Sequence, residues 1–233
     1  MIRVLSKCFR KIVEQWHFLV LLVIAFLFRF FLIPVQSVVS FDEVNYLKLA
    51  IYGAQQGLPQ VLHTYWSPLY PLIIALFSKI FGNAEFIARF ISVLTGSLVL
   101  VPVYVLARHR LPRTICIFTV AMLAVYPPLV LLSIKIITEP LYSFLGITGI
   151  MIGWYSLGKE SRRLALGAGI IFGMTYLTRP EGMGFIIVFI LIMIVLLIKK
   201  LIEREKSKFL QMMFISLLGF IFISSPYLLF LHK

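Results

Sequence analysis

Ser67-Pro68-Leu69-Tyr70-Pro71-Leu72-Ile73-Ile74-Ala75-Leu76-Phe77-Ser78-Lys79-Ile80-Phe81 is the stretch on which the fold turns. Its apolar part runs from Leu69 to Phe81, opens among prolines and carries Lys79. A helix of that length, rising about 1.5 Å per residue, covers only about two thirds of a hydrocarbon core about 30 Å thick. Whether it crosses a membrane sets the side of everything that follows it.

Seven other apolar segments stand at about 17–35, 86–106, 114–132, 140–157, 164–177, 183–198 and 209–231. Between them lie basic clusters at Arg3/Lys7/Arg10/Lys11, Arg108/Arg110/Arg113, Lys159/Arg162/Arg163 and Lys199/Lys200/Arg204/Lys206/Lys208, which hold most of the 22 Lys and Arg residues. Such clusters mark cytoplasmic loops. If 69–81 crossed, the Arg108 cluster would be forced outside and every later loop would invert. If it lies at the interface or dips in without crossing, all four clusters fall inside together. Charge and length therefore predict an all-α integral membrane protein of about seven transmembrane helices. Its N-terminus is inside and its C-terminus outside.

Composition points the same way. The chain of 233 residues is 61% hydrophobic and 13% charged, with a mean hydropathy of +1.02. Soluble domains carry roughly 25% charged residues. At about 20 residues per span no separate soluble domain fits, so residues 1–233 read as one membrane-embedded module. A net charge of +13 would suggest nucleic acid in a soluble protein. Here it sits in loop clusters, and no nucleic-acid partner is expected. The segment from Phe18 to Val35 is long, contains Arg29 and lacks a small-residue cleavage pattern, so it reads as a retained helix rather than a signal peptide. Cys8 and Cys116 both fall near the cytoplasmic side, and neither a disulfide nor a cysteine metal site is expected.

This topology puts Asp42, Glu43, Glu85, Glu139 and Glu181, more than half of the nine acidic residues, at the outer face, with Lys135 and Arg179 beside the last two. Ionisable groups near the bilayer are costly and by default mark a functional site. The plainer account is that helix ends collect charge at headgroup level.

The first outer loop, Gln36 to Ser67 and on to about residue 85 with the short apolar segment, is the long polar connection. Ser40-Phe41-Asp42-Glu43 opens a helical pattern that places Phe41, Val44, Leu47 and Ile51 on one face. Gly53 and Gly57 act as stops. A helix of this kind lies in the interface plane. Ser40 with Glu43 matches a capping box, which gives Glu43 a structural duty. Asp42 has none and is free to meet a substrate. His63, Tyr65 and Trp66 close the loop, either as interfacial belt residues or as substrate contacts.

Thr138 and Pro140 suit the start of a helix, so Glu139 either compensates the helix dipole or serves chemistry among Ile136, Ile137 and Leu141. Thr178-Arg179-Pro180-Glu181-Gly182 is a tight outer turn. It is either an Arg–Glu pair or an anion site, because a guanidinium offers a fixed fork to phosphate and the next helix N-terminus adds partial positive charge. Gly-rich phosphate loops, Gly-x-Ser-x-Gly and paired cysteines are absent from the sequence.

Phe41-Asp42-Glu43-Val44-Asn45-Tyr46, Ser67-Pro68-Leu69-Tyr70-Pro71 running to Phe81-Gly82, Ala88-Arg89-Phe90, Tyr104-Val105-Leu106-Ala107-Arg108, Thr138-Glu139-Pro140-Leu141 and Leu177-Thr178-Arg179-Pro180-Glu181-Gly182 together resemble the GT-C glycosyltransferases. The group is that of the dolichyl-phosphate-mannose–protein mannosyltransferases and aminoarabinose transferases, with their bacterial relatives. The resemblance implies a multi-pass enzyme of the plasma (inner) membrane with an extracytoplasmic site. Its donor would be a polyprenyl-phosphate-linked sugar and its acceptor a hydroxyl of a glycan, lipid or protein. It also implies Asp42 as catalytic base with Glu43 beside it, and Glu139 as a second acidic position. Lys135 and Arg179 are assigned to the donor phosphate on chemical grounds, and His63, Tyr65 and Glu181 to substrate contact. No cofactor is required, although two carboxylates and His63 offer oxygen and nitrogen ligands to a divalent metal. Family members are usually about twice as long, so the part that bears much of acceptor recognition is expected to be missing. The competing expectation is a non-catalytic membrane module that binds or moves a polyprenyl-linked glycan. An ion-coupled transporter would need inverted repeats, which the sequence lacks.

Overall fold

The computed structural model of the chain describes residues 16–35, 40–200 and 206–232. Cys8, the Arg3/Lys7/Arg10/Lys11 cluster and Arg204 lie outside the described residues, as do the side chains of Lys199, Lys200 and Lys206. The described residues are mostly helical and contain no strand. The helices are α1 (Trp16–Leu32), α2 (Phe41–Gln56), α3 (Leu69–Phe81), α4 (Ala84–Leu98), α5 (Leu100–Ala107), α6 (Arg113–Val125), α7 (Pro127–Ser133), α8 (Glu139–Lys159), α9 (Arg162–Thr178), α10 (Met183–Lys200) and α11 (Lys206–Leu231).

Among the described residues five stretches are long and apolar enough to cross a membrane: Trp16–Val35, Ala84–Ala107, Glu139–Lys159, Pro180–Ile198 and Ser207–Leu231. The pair α6 and α7, bent by 56°, passes the same test only when taken together, as a broken span or a re-entrant loop. The bend falls at Tyr126-Pro127-Pro128, where the residue before a proline leaves the helical region and the ring removes an amide. The expected crossing at 114–132 is thus two helices. Helix α9 has 17 residues and α3 has 13. Large apolar side chains such as Phe31, Phe118, Phe214 and Phe222 face outward, as suits a surface solvated by lipid. This is an all-α membrane protein.

The chain divides into two compact units. The first comprises the described residues through Trp66 together with Tyr70–Phe144. In it Phe18 stacks on Tyr104 with ring centroids 4.2 Å apart, and Phe26 meets Phe90 edge-on at 6.0 Å, which seats α1 along α4 and α5. Arg29, on the same inner face as Phe18 and Ala25, is fully buried and donates through Nη1 to the Ala25 carbonyl at 3.0 Å. Tyr70 joins three helices. Its buried hydroxyl donates to the Ala88 carbonyl at 3.1 Å and lies 2.8 Å from Ser92 Oγ, while Tyr46 of α2 meets its ring edge-on at 5.6 Å.

Helix α2 departs from the expectation at one point. Gly53 lies inside the helix, which stops at Gly57 with φ 116°. A side chain at position 53 would collide with Val61, so glycine there serves a close approach to the following turn. The buried face is Glu43, Tyr46, Ala50 and Gly53, whereas Phe41, Val44 and Ile51 are exposed.

The second unit comprises Ser67–Leu69 and the described residues from Leu145 onward. Helices α9 and α11 pack backbone to backbone. A Cβ at Gly169 would fall on the Ser216 carbonyl, and one at Gly219 would lie 2.8 Å from the Leu166 carbonyl oxygen. Small residues permit this approach where apolar burial gives little drive for helices to associate. Lys208 Nζ and Glu160 Oε2 pair at 3.0 Å.

Candidate active site

The first turn of α2 presents two neighbouring carboxylates in different settings. Asp42 is exposed. Glu43 is fully buried. An ionised carboxylate survives burial only when its oxygens are hydrogen-bonded, and both are. Oε2 accepts from the Ser40 amide at 2.6 Å, which is the acidic half of the expected capping box. Oε1 accepts from the Ile136 amide at 2.8 Å, 93 residues along the chain. The second bond places the first turn of α2 against the irregular segment 134–138 between α7 and α8.

Burial alternates along that segment. Ile134, Ile136 and Thr138 are buried, whereas Lys135 and Ile137 are half-exposed. Glu139, half-exposed, opens α8, and the Tyr142 amide bonds the Thr138 carbonyl at 2.8 Å to close its first turn. Lys135 therefore lies within the segment that Glu43 touches, and Glu139 directly follows it.

Sequence reasoning missed Arg89 as a site residue. It is 5% exposed on α4. Its Nη1 donates to the Ile134 carbonyl at 3.3 Å, while Nε and Nη2 reach Glu85 Oε1 at 3.2 and 3.0 Å. The signal was available: an arginine among Ile87, Ala88, Phe90 and Ile91, four residues after a glutamate.

His63 and Tyr65 are exposed. The His63 Nδ1 accepts from the amides of Tyr65 and Trp66 at 3.0 and 3.3 Å and so shapes its own loop. Trp66 meets Tyr46 edge-on at 5.0 Å, which fastens the loop to α2. An open cavity of about 470 Å³ lies between the C-terminal parts of α2 and α3, lined by Ile51, Gln55, Ser78, Lys79 and Gly82 among others. None of the expected site residues lines it. Among the described residues no three His, Cys, Asp or Glu side chains gather to hold a metal ion.

Arg179 and Glu181 belong to the second unit. They form the ion pair expected of their turn, with Nε to Oε2 at 3.5 Å and side chains 32% and 62% exposed. A pair that open to solvent holds little energy. Gly182 is required because a Cβ there would strike the backbone of Thr175 and Tyr176.

Compared with known families, residues 63–229 match the one described as dolichyl-phosphate-mannose-protein mannosyltransferase. The matched region contains His63, Tyr65, Arg89, Lys135, Glu139, Arg179 and Glu181, and it begins after Asp42 and Glu43. A comparison with curated proteins finds no match.

Proposed function

The chain belongs to the dolichyl-phosphate-mannose-protein mannosyltransferase family, glycosyltransferases of the GT-C superfamily, and on that premise we propose that it moves a sugar from a polyprenyl-phosphate carrier to an acceptor hydroxyl of a glycan, lipid or protein at the extracytoplasmic face of the plasma membrane. The observation that carries this reading is the bond from Glu43 to the Ile136 amide. It sets an exposed carboxylate, Asp42, on a helix turn held against the segment that bears Lys135.

The chemistry needs a base for the acceptor and positive charge for the leaving group. Asp42 takes the proton from the acceptor hydroxyl as its oxygen bonds to the anomeric carbon. The bond from that carbon to the phosphate oxygen breaks on the opposite side, and the departing phosphate takes up the electron pair. A single displacement inverts the anomeric centre, unlike the two-step path of retaining glycosidases. Lys135 supports the phosphate charge, and Glu139, His63 and Tyr65 are assigned to the substrates.

The proposed topology has seven crossings: the five long stretches, the bent pair α6–α7, and α9. The N-terminus is cytoplasmic. Helix α3 stays at the outer interface, and α2 lies there with Phe41, Val44 and Ile51 toward the acyl chains.

The test is sugar transfer in membranes from polyprenyl-phosphate-linked donors, with wild type compared with Asp42→Asn. Turnover lost in the variant while donor binding persists is the expected result. Donor binding without turnover in either form would instead make the chain a non-catalytic binder of lipid-linked glycan.

A further inference from the structure

We propose that Glu43 and Arg89 are positioning residues, which clamp the backbone on both sides of Lys135 so that its ammonium is held for the donor phosphate; the phosphate role rests on the reading above, the clamp does not. Glu43 is poorly suited to be the base itself. It is fully buried, and each carboxylate oxygen already accepts a backbone amide. Abstracting a proton needs an oxygen within hydrogen-bond reach of the acceptor, and Asp42 is the neighbour that offers one.

The segment 134–138 has little helical support of its own. Lys135 donates its amide to the Leu132 carbonyl at 3.3 Å, the closing turn of α7. Beyond that, two side chains from other helices hold it: the Ile136 amide donates to Glu43, and the Ile134 carbonyl accepts from Arg89. Both bonds are buried, where a hydrogen bond is electrostatically stronger than in water. Glu85, from one turn earlier in α4, accepts from the other two Arg89 nitrogens and so orients the guanidinium toward Ile134. With Ile134 and Ile136 buried on either side, Lys135 is left facing the half-exposed side of the segment. A flexible ammonium gains precision when the backbone beneath it is fixed.

The clamp is tested on the full chain in lipid nanodiscs with Glu43→Gln and Arg89→Gln. The first measurement is amide exchange of the peptide spanning 134–138. Both variants should exchange faster there than wild type, and Asp42→Asn should not. Unchanged exchange in both overturns the clamp, whatever the enzyme does. The second is binding of polyprenyl phosphate without sugar. Each variant should bind roughly ten- to a hundredfold more weakly, the range seen when a residue that orients a ligand is removed. The double variant Glu43→Gln/Lys135→Ala should bind no worse than Lys135→Ala alone, because the two act as one unit. Additive losses would refute action through Lys135. If wild type transfers sugar, Glu43→Gln should raise donor KM and keep the wild-type shape of the kcat/KM pH profile. Loss of that shape would make Glu43 the base. If wild type transfers nothing, the functional reading fails while exchange and phosphate binding still decide the clamp.

Discussion

Two glycines in one helix should respond oppositely to the same substitution. Gly169 and Gly167 both lie inside α9, so an alanine at either gains about 1 kcal/mol of helix propensity. At Gly167 the new methyl meets Ile152 Cγ2 at 3.7 Å, an ordinary contact, and the gain stands. At Gly169 it falls on the Ser216 backbone carbonyl. A side chain can rotate away, but a carbonyl inside a helix cannot, so α9 and α11 must part. Overpacking costs typically 1–3 kcal/mol, and a rigid obstacle puts the cost at the upper end. Because propensity cancels between the two variants, they should differ by about 3 kcal/mol, with Gly167→Ala at or above wild type and Gly169→Ala below it. Reversible unfolding of the purified protein in bicelles, followed by far-UV circular dichroism, reads the difference. A Gly169→Ala protein as stable as Gly167→Ala would refute the close approach of the two helices.

Tyr70→Phe removes a buried hydroxyl that bonds Ala88 and Ser92, and should cost about 1–2 kcal/mol of stability; an unchanged unfolding midpoint would show that this junction is not made. Burial pushes the Tyr70 phenol well above its ordinary range. The stability tied to its proton is therefore complete below the unfolded value near ~10 and is lost as pH rises beyond it. Alkaline destabilisation should be smaller in Tyr70→Phe, and an equal loss in both proteins would contradict the burial. The proposed topology predicts that Lys48→Cys reacts with a membrane-impermeant maleimide from outside, whereas Arg110→Cys reacts only after permeabilisation; labelling of both from one side would mean that α3 crosses.

Much of this fold is written locally. The apolar run Leu69 to Phe81 became a helix with those same limits, because Pro68 precedes it and Gly82, with φ 78°, ends it. The pairing of Ser40 with Glu43 was legible for the same reason: a capping box lies within four residues. What escaped was long-range. Nothing near Glu43 indicates that its second oxygen meets the Ile136 amide, so its weight in the site was underestimated. Gly53 resembles a helix stop until Val61 is packed against it. Periodicity identified the apolar side of α2, Phe41, Val44 and Ile51, and these residues are exposed, as an interfacial helix requires. Family resemblance carried the reading of Asp42, although the matched region begins only at His63.

The break between α6 and α7 has a consequence for how the chain tolerates substitution. A helix that starts within hydrocarbon leaves amide hydrogens with no partner and no water to satisfy them. Here the first two positions of α7 are Pro127 and Pro128, which have no such hydrogen, and the Val130 amide already bonds the Tyr126 carbonyl at 3.1 Å. The diproline therefore breaks the apolar stretch while deleting two of the donors that a new helix start would strand. Both prolines are exposed, where substitution is ordinarily free. On a lipid-facing surface, any other residue at either position would point an unsatisfied amide at acyl chains, so an outward-facing site becomes as restrictive as a core.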